Sequence, residues 1–237
     1  GKTILQFDPR RATARDAEFS WLVRPGNYLA RVTEPPASIV LIWDTSGSMG
    51  KESVKNLQVA VEAYLDQVQP TERYNLIRFS GGGREKDPIP VEVLLPEFTS
   101  DRARLKAAVT GKFFSRGGTP FYDAVAKGMQ LLEGVQGNRA IVVMTDGIDT
   151  TSELGQGNDE ARYTAFWRLL ERNRIRLYTI GLGGDMPVHY PRLGTSGTRF
   201  LDHVAMAMTA RSFFASNPEE LKAIYDQIGE MEKTKVE

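Results

Sequence analysis

Asp44-Thr45-Ser46-Gly47-Ser48 sets one carboxylate and two hydroxyls at alternate positions of five residues. The apolar run Ser38-Ile39-Val40-Leu41-Ile42-Trp43 precedes it, and a helical pattern beginning near Lys51 follows. These oxygens therefore lie in a turn at the carboxyl end of a strand, where open α/β sheets bind ligands. Hard divalent cations take oxygen ligands, and this turn offers three. Carboxylates, hydroxyls and water suit magnesium or manganese better than zinc or copper.

Two distant segments belong to the same pattern. Gly117-Gly118-Thr119-Pro120 opens a helical stretch, with Thr119 expected at the N-cap and Pro120 at the first helical position. Ala140-Ile141-Val142-Val143-Met144-Thr145-Asp146-Gly147 reads as a strand ending in an Asp-Gly turn, so the Asp146 carboxylate also sits at a strand's carboxyl end. The order D-x-S-x-S, T-P, D-G resembles the metal-ion-dependent adhesion site of von Willebrand factor type A (VWA) domains. The resemblance implies that Ser46, Ser48 and Thr119 supply hydroxyl oxygens and that Asp44 and Asp146 act directly or through water. It covers about residues 36–235. D-x-S-x-S by itself is a weak signal; the ordered threonine and aspartate make it strong. Taken singly, each residue has a plainer reading: serines capping a helix, a threonine N-cap, an Asp-Gly turn.

A cation held by neutral hydroxyls, with its carboxylates mostly one water away, keeps much of its charge and seeks an outside anionic oxygen. The resemblance implies that a partner protein's Asp or Glu supplies it. The expected cofactor is Mg2+, with Mn2+ or Ca2+ as substitutes, since octahedral magnesium usually keeps exchangeable waters. The leading reading is a non-enzymatic adhesion or assembly module. A second is a metal-dependent phosphoester hydrolase with Asp44 as nucleophile, but position 46 is serine, so the D-x-D pattern is absent. Two histidines and no cysteine leave few general bases, and no G-x-x-x-x-G-K-[ST] loop is present. A third is a structural domain with an unused site. Nearby, Asp123 has a supporting role or faces solvent, and Asp149 and Glu153 form an acidic rim, a second cation site or a solvated loop. Arg116 faces an acidic partner or is an ordinary surface arginine, and His189 contacts a ligand or is an exposed loop histidine.

The elements that must hold these residues alternate. Strands are expected at Ser38–Trp43, Tyr74–Phe79, Val91–Leu95 (an antiparallel edge), Arg139–Thr145, Arg174–Gly181 and Arg211–Ala215. Helices are expected at Lys51–Val68, Asp101–Thr110, Phe121–Leu132, Glu160–Arg172, Leu201–Met208 and Glu219–Met231. This predicts an α/β fold: a doubly wound, mostly parallel Rossmann-like sheet with one antiparallel edge strand and helices on both faces. The resemblance places the Asp44 and Asp146 strands side by side at the switch point of the sheet. Two long loops, Asp149–Glu160 and Gly183–Thr198, emerge on the same rim. By analogy with the family alone, ligand binding shifts the last helix.

Residues 1–36 form a β-rich segment, with strands expected at Thr3–Phe7, Phe19–Val23 and Tyr28–Val32 and a boundary at Glu34-Pro35-Pro36. They belong to a neighbouring domain or pack on the main sheet, or they form an irregular arm. The VWA domain is then 37–237. Lys+Arg and Asp+Glu both number 30, which gives no basic footprint for nucleic acid or an anionic membrane. No apolar run suits direct membrane insertion. The absence of cysteine excludes disulfides. The chain begins Gly1-Lys2, as a piece of a larger multidomain chain would. The segments 118–124 and 213–221 look like bacterial members of the family, and the β-rich N-terminal segment favours a surface or periplasmic location, with the cytoplasm as the alternative.

Overall fold

The computed structural model describes residues 20–24, 27–31, 37–81, 90–110, 117–146, 149–155, 157–182, 189–190 and 195–233. The chain divides into two compact units, Gly1–Pro35 with Val236–Glu237, and Pro36–Lys235. In the first, β1 (Ser20–Arg24) and β2 (Asn27–Arg31) pair antiparallel, with Ser20 opposite Arg31 and Arg24 opposite Asn27. These strands fall within one residue of the two expected there. The expected strand at Thr3–Phe7 and the boundary at Glu34-Pro35-Pro36 lie outside the described residues.

The second unit is built on β3 (Ala37–Asp44), β4 (Glu72–Phe79), β5 (Val91–Val93), β6 (Asn138–Thr145), β7 (Arg176–Leu182) and β10 (Ser212–Ala215). They form one sheet in the order β10-β7-β6-β3-β4-β5, parallel except for β5, which runs antiparallel to β4 at one edge. Every residue of β3 is buried. Such a continuous apolar run marks a strand covered on both faces. Alternation along β3 sends Ile39, Leu41 and Trp43 to one layer and Val40 and Ile42 to the other.

The first layer is covered by α1 (Gly50–Leu65), α2 (Arg102–Val109) and α6 (Pro218–Lys233). The second is covered by α3 (Phe121–Leu131), α4 (Asp159–Arg172) and α5 (Gly197–Ala207). In α1, Val54, Leu57, Val61 and Leu65 are buried at three- and four-residue spacing. Val68 lies beyond the end of α1 yet is also buried, so the apolar periodicity runs past the helix into the turn. Asp101 starts α2 by accepting hydrogen bonds from the Ala103 and Arg104 amides at 2.9 and 3.1 Å, and Asn158 caps α4 through the Ala161 amide at 3.0 Å.

The expected doubly wound α/β architecture is what the chain adopts, with most boundaries within two residues. Two local features differ. A pair of two-residue strands, β8 (His189–Tyr190) and β9 (Thr195–Ser196), lies where a loop was expected. Strands this short carry no periodic signal in sequence. Helix α5 begins at Gly197 rather than Leu201.

Candidate metal centre

Strands β3 and β6 are parallel neighbours, with Trp43 opposite Met144. The chain winds one way from β3 through β4 and the other way from β6 through β7, so the two strands flank the switch point. Asp44 ends β3 and Asp146 follows β6, which brings both carboxylates to one rim, as expected.

Asp44 is wholly buried and both of its oxygens are engaged. The Ser46 amide donates to Oδ1 at 2.7 Å, and the Thr145 hydroxyl donates to Oδ2 at 2.6 Å. The Ser46 and Ser48 hydroxyls lie 3.1 Å apart, and Ser48 donates to Oδ1 of Asp146 at 2.9 Å. Asp44, Ser46, Ser48 and Asp146 thus form one connected set. Residues Gly47–Met49 make a single turn of 3-10 helix before α1. Ser46 occupies the N-cap of that turn but makes no side-chain cap bond, so its hydroxyl serves the oxygen cluster rather than the helix.

The Thr119 loop is tied to this set through its backbone. The Gly47 amide donates to the Gly117 carbonyl at 2.9 Å, and the Gly81 amide donates to the Gly118 carbonyl. The Thr119 amide donates to the Thr150 hydroxyl at 2.8 Å, and the Thr150 amide donates to the Thr119 carbonyl at 2.9 Å. Thr119 is buried, and its hydroxyl makes no hydrogen bond among the described residues. Its position needs one correction. Helix α3 starts at Phe121 with Pro120, not Thr119, at the N-cap. The backbone of residues 117–119 is already bonded to the neighbouring loops, so the helix begins one residue later than the sequence pattern suggests. Its first free amides are capped from outside, Tyr122 by Asp149 Oδ1 and Asp123 by the Ser152 hydroxyl, each at 3.1 Å.

The electrostatics follow from burial. Burial pushes the Asp44 carboxyl up to about 7; the Thr145 and Ser46 hydrogen bonds pull against this, and nearby Asp146 adds to it. Hydrogen bonds to a charged group are worth about 1.5–3 kcal/mol each. Taking a carboxylate out of water costs several kcal/mol even after relaxation. Desolvation wins here. Asp146 is half-buried and also raised, by burial first, with its bond to Ser48 opposing. No basic side chain bonds either carboxylate among the described residues.

The flanking residues have structural work. Asp123 accepts from the Glu153 and Leu154 amides at 2.7 and 2.9 Å, so it braces the loop after β6 rather than facing solvent. Asp149 is buried, raised to about 6 by desolvation, and binds the Ser152 hydroxyl and the Tyr122 amide. Glu153 is exposed. Arg116 and the side chain of His189 lie outside the described residues. Sequence reasoning missed Thr145, Thr150 and Gly81. Thr145 directly precedes Asp146 on a strand that pairs with β3, and that adjacency was its only signal.

Residues 38–227 match the von Willebrand factor type A domain. The chain belongs to this family. Bovine (Bos taurus) inter-alpha-trypsin inhibitor heavy chain H4 is 27% identical to it over 159 residues, 64% of this chain and 16% of that one. The chain therefore spans less than a fifth of that relative's length. Among solved structures, a von Willebrand factor type A protein from Catenulispora acidiphila superposes with a TM-score of 0.65 at 17% identity, covering 87% of this chain and 44% of the other. The pilus adhesin SpaC from Lactobacillus rhamnosus GG, in its open conformation, gives 0.65 at 15% identity, covering 85% and 30%. At such identities these likenesses show that this VWA chain shares their fold. No helix among its described residues is long and apolar enough to cross a membrane.

Proposed function

We propose that this VWA domain is a non-enzymatic, divalent-cation-dependent protein-binding module whose partner presents an Asp or Glu side chain. Asp44, Ser46, Ser48, Thr119 and Asp146 hold the cation, Mg2+ with Mn2+ or Ca2+ as substitutes. One observation carries the reading: two carboxylates and two hydroxyls converge in one hydrogen-bonded set, with no basic side chain bonded to either acid among the described residues. The donor set fits the ion, being all oxygen and of mixed charge. Thr119 is a buried residue, and its hydroxyl, which makes no hydrogen bond among the described residues, supplies a further oxygen in the adjoining loop.

When bound, the cation supplies a positive centre with a coordination position open to an outside carboxylate. The chain's own residues do the rest. Asp44, fixed by Ser46 and Thr145, sets negative charge behind the site. Ser46 and Ser48 present neutral oxygens from one turn, and Asp146 closes the set from just beyond β6. Asp44 is a poor candidate for a hydrolase nucleophile, because it is buried with both oxygens engaged. The bacterial, extracytoplasmic and multidomain setting belongs to the same proposal. The Lactobacillus pilus adhesin among the shared folds supports the bacterial surface setting, and the bovine heavy chain, of which the match covers 16%, supports the multidomain one.

The test is binding to an array of peptides bearing Asp or Glu, with cation or with chelator. Retention that needs the cation and disappears in Ser48→Ala is expected. Retention indifferent to chelator and to Ser48→Ala overturns the reading.

A further inference from the structure

The loop carrying Thr119 is held more tightly than a connection between two helices requires. A Cβ added at Gly81 would lie 2.4 Å from the Gly118 nitrogen and 2.6 Å from its Cα. One added at Gly118 would lie 2.4 Å from Thr151 Cγ2 and 2.9 Å from Thr150 Oγ1. The Gly117-Gly118 backbone is thus pressed between the turn after β4 and the loop after β6. Thr150 grips Thr119 from the second side at two points, its hydroxyl accepting from the Thr119 amide at 2.8 Å and its amide donating to the Thr119 carbonyl at 2.9 Å.

The neighbours of Thr150 anchor it in turn. Asp149 and Ser152 bind the Tyr122 and Asp123 amides, so residues 149–152 clasp both the loop and the first turn of α3. With its amide and carbonyl both bonded to one residue, Thr119 has little backbone freedom. Its hydroxyl is then directed by χ1 alone, which is restricted in a β-branched side chain.

We propose that Thr150 is a positioning residue that orients the Thr119 hydroxyl for the cation. This rests on the metal reading above. Partners that orient the ligands of a metal commonly contribute about tenfold to a hundredfold in affinity. The effect also depends on the ion. Magnesium demands near-ideal octahedral geometry, whereas calcium accepts six to eight oxygens in a flexible shell. Loosening Thr119 therefore weakens Mg2+ more than Ca2+. A residue with only a structural role would shift both ions together.

The experiment is calorimetric titration of Mg2+ and Ca2+ into wild type, Thr150→Val and Thr150→Ser, with the cation-free melting temperature of each. Valine keeps the shape and removes the acceptor; serine restores it. The expected result is a Mg2+ affinity about tenfold or more weaker in Thr150→Val, a smaller Ca2+ loss, recovery in Thr150→Ser, and a cation-free melting temperature lowered in Thr150→Val, by the unpaired Thr119 amide, but still showing a cooperative transition. Should the valine variant not fold, Thr150→Ala removes the same oxygen without the extra methyl and is read in its place. Wild-type cation binding with an unchanged Mg2+/Ca2+ ratio in the variant overturns this assignment alone. No cation binding by wild type overturns the metal reading, and this assignment with it.

Discussion

The Thr145 hydroxyl donates to Oδ2 of Asp44 at 2.6 Å, joining residues 101 apart in sequence. The bond crosses from β6 to β3 at the switch point and holds a buried carboxylate that has no basic partner bonded to it among the described residues. Thr145→Val keeps the shape and removes the donor. We expect it to destabilise the cation-free protein by about 1.5–3 kcal/mol where Asp44 is ionised. The cost should be smaller where Asp44 is protonated. Urea unfolding at pH 8 and pH 5 checks both values.

Asp44 itself predicts an unusual pH dependence. Its carboxyl rises from 3.8 in the unfolded chain to about 7 in the folded one. Between those values the folded state holds more protons, so stability falls as pH rises. The contribution is complete below the unfolded value and gone above the folded one. It amounts to at most about 4 kcal/mol, since each pH unit between the two values is worth about 1.36 kcal/mol. Asp149, raised to about 6, and Asp146, also raised, act with the same sign. Cation-free protein should therefore melt higher at pH 5 than at pH 8, and Asp44→Asn should flatten that slope. Stabilisation by added cation should run the other way, since its ligands must be deprotonated.

Gly117 and Gly134 share a φ of +72°, yet their surroundings differ. A Cβ at Gly134 meets nothing within 4 Å, whereas one at Gly117 would lie 1.5 Å from the Gly81 carbonyl oxygen. Gly134→Ala should cost only the left-handed penalty, about 1–2 kcal/mol. Gly117→Ala should cost more, because two backbones must separate, and it should weaken cation binding as well. Chemical denaturation of the pair separates the steric effect from the conformational one.

A cap remote from the site provides the contrast. Asp101 accepts two amides at the start of α2. Asp101→Ala should lower stability by about 1 kcal/mol while leaving cation affinity unchanged. Paired thermal melts and calorimetry measure the two quantities.

The proposed ligand residues were legible in the sequence because each sits at a strand end or in a short turn with a distinctive spacing. The sheet was legible because β3 and β6 are continuous apolar runs. What was not legible depends on contacts between loops far apart in the chain. Thr150 looks like an ordinary polar loop residue until folding sets it against Thr119. Gly81 reads as a turn glycine, yet it is the one residue type that lets the turn after β4 touch Gly118. Asp123 and Asp149 look like solvated acids in sequence and are hydrogen-bonded braces in the fold. The start of α3 shifted for the same reason, since bonds from neighbouring loops hold residues 117–119 out of the helix.

Cation binding at Asp44 is tested by a thermal-melt titration with Mg2+, Mn2+ and Ca2+ at pH 7.5, comparing wild type with Asp44→Ala. A ligand that binds only the folded state raises the melting temperature, by about 2.7 kcal/mol of stability at a hundred times its dissociation constant. A cation held by Asp44 and its neighbours predicts a concentration-dependent rise in wild type that is absent in Asp44→Ala. Wild-type melting unchanged by all three cations, or an equal rise in Asp44→Ala, would contradict it.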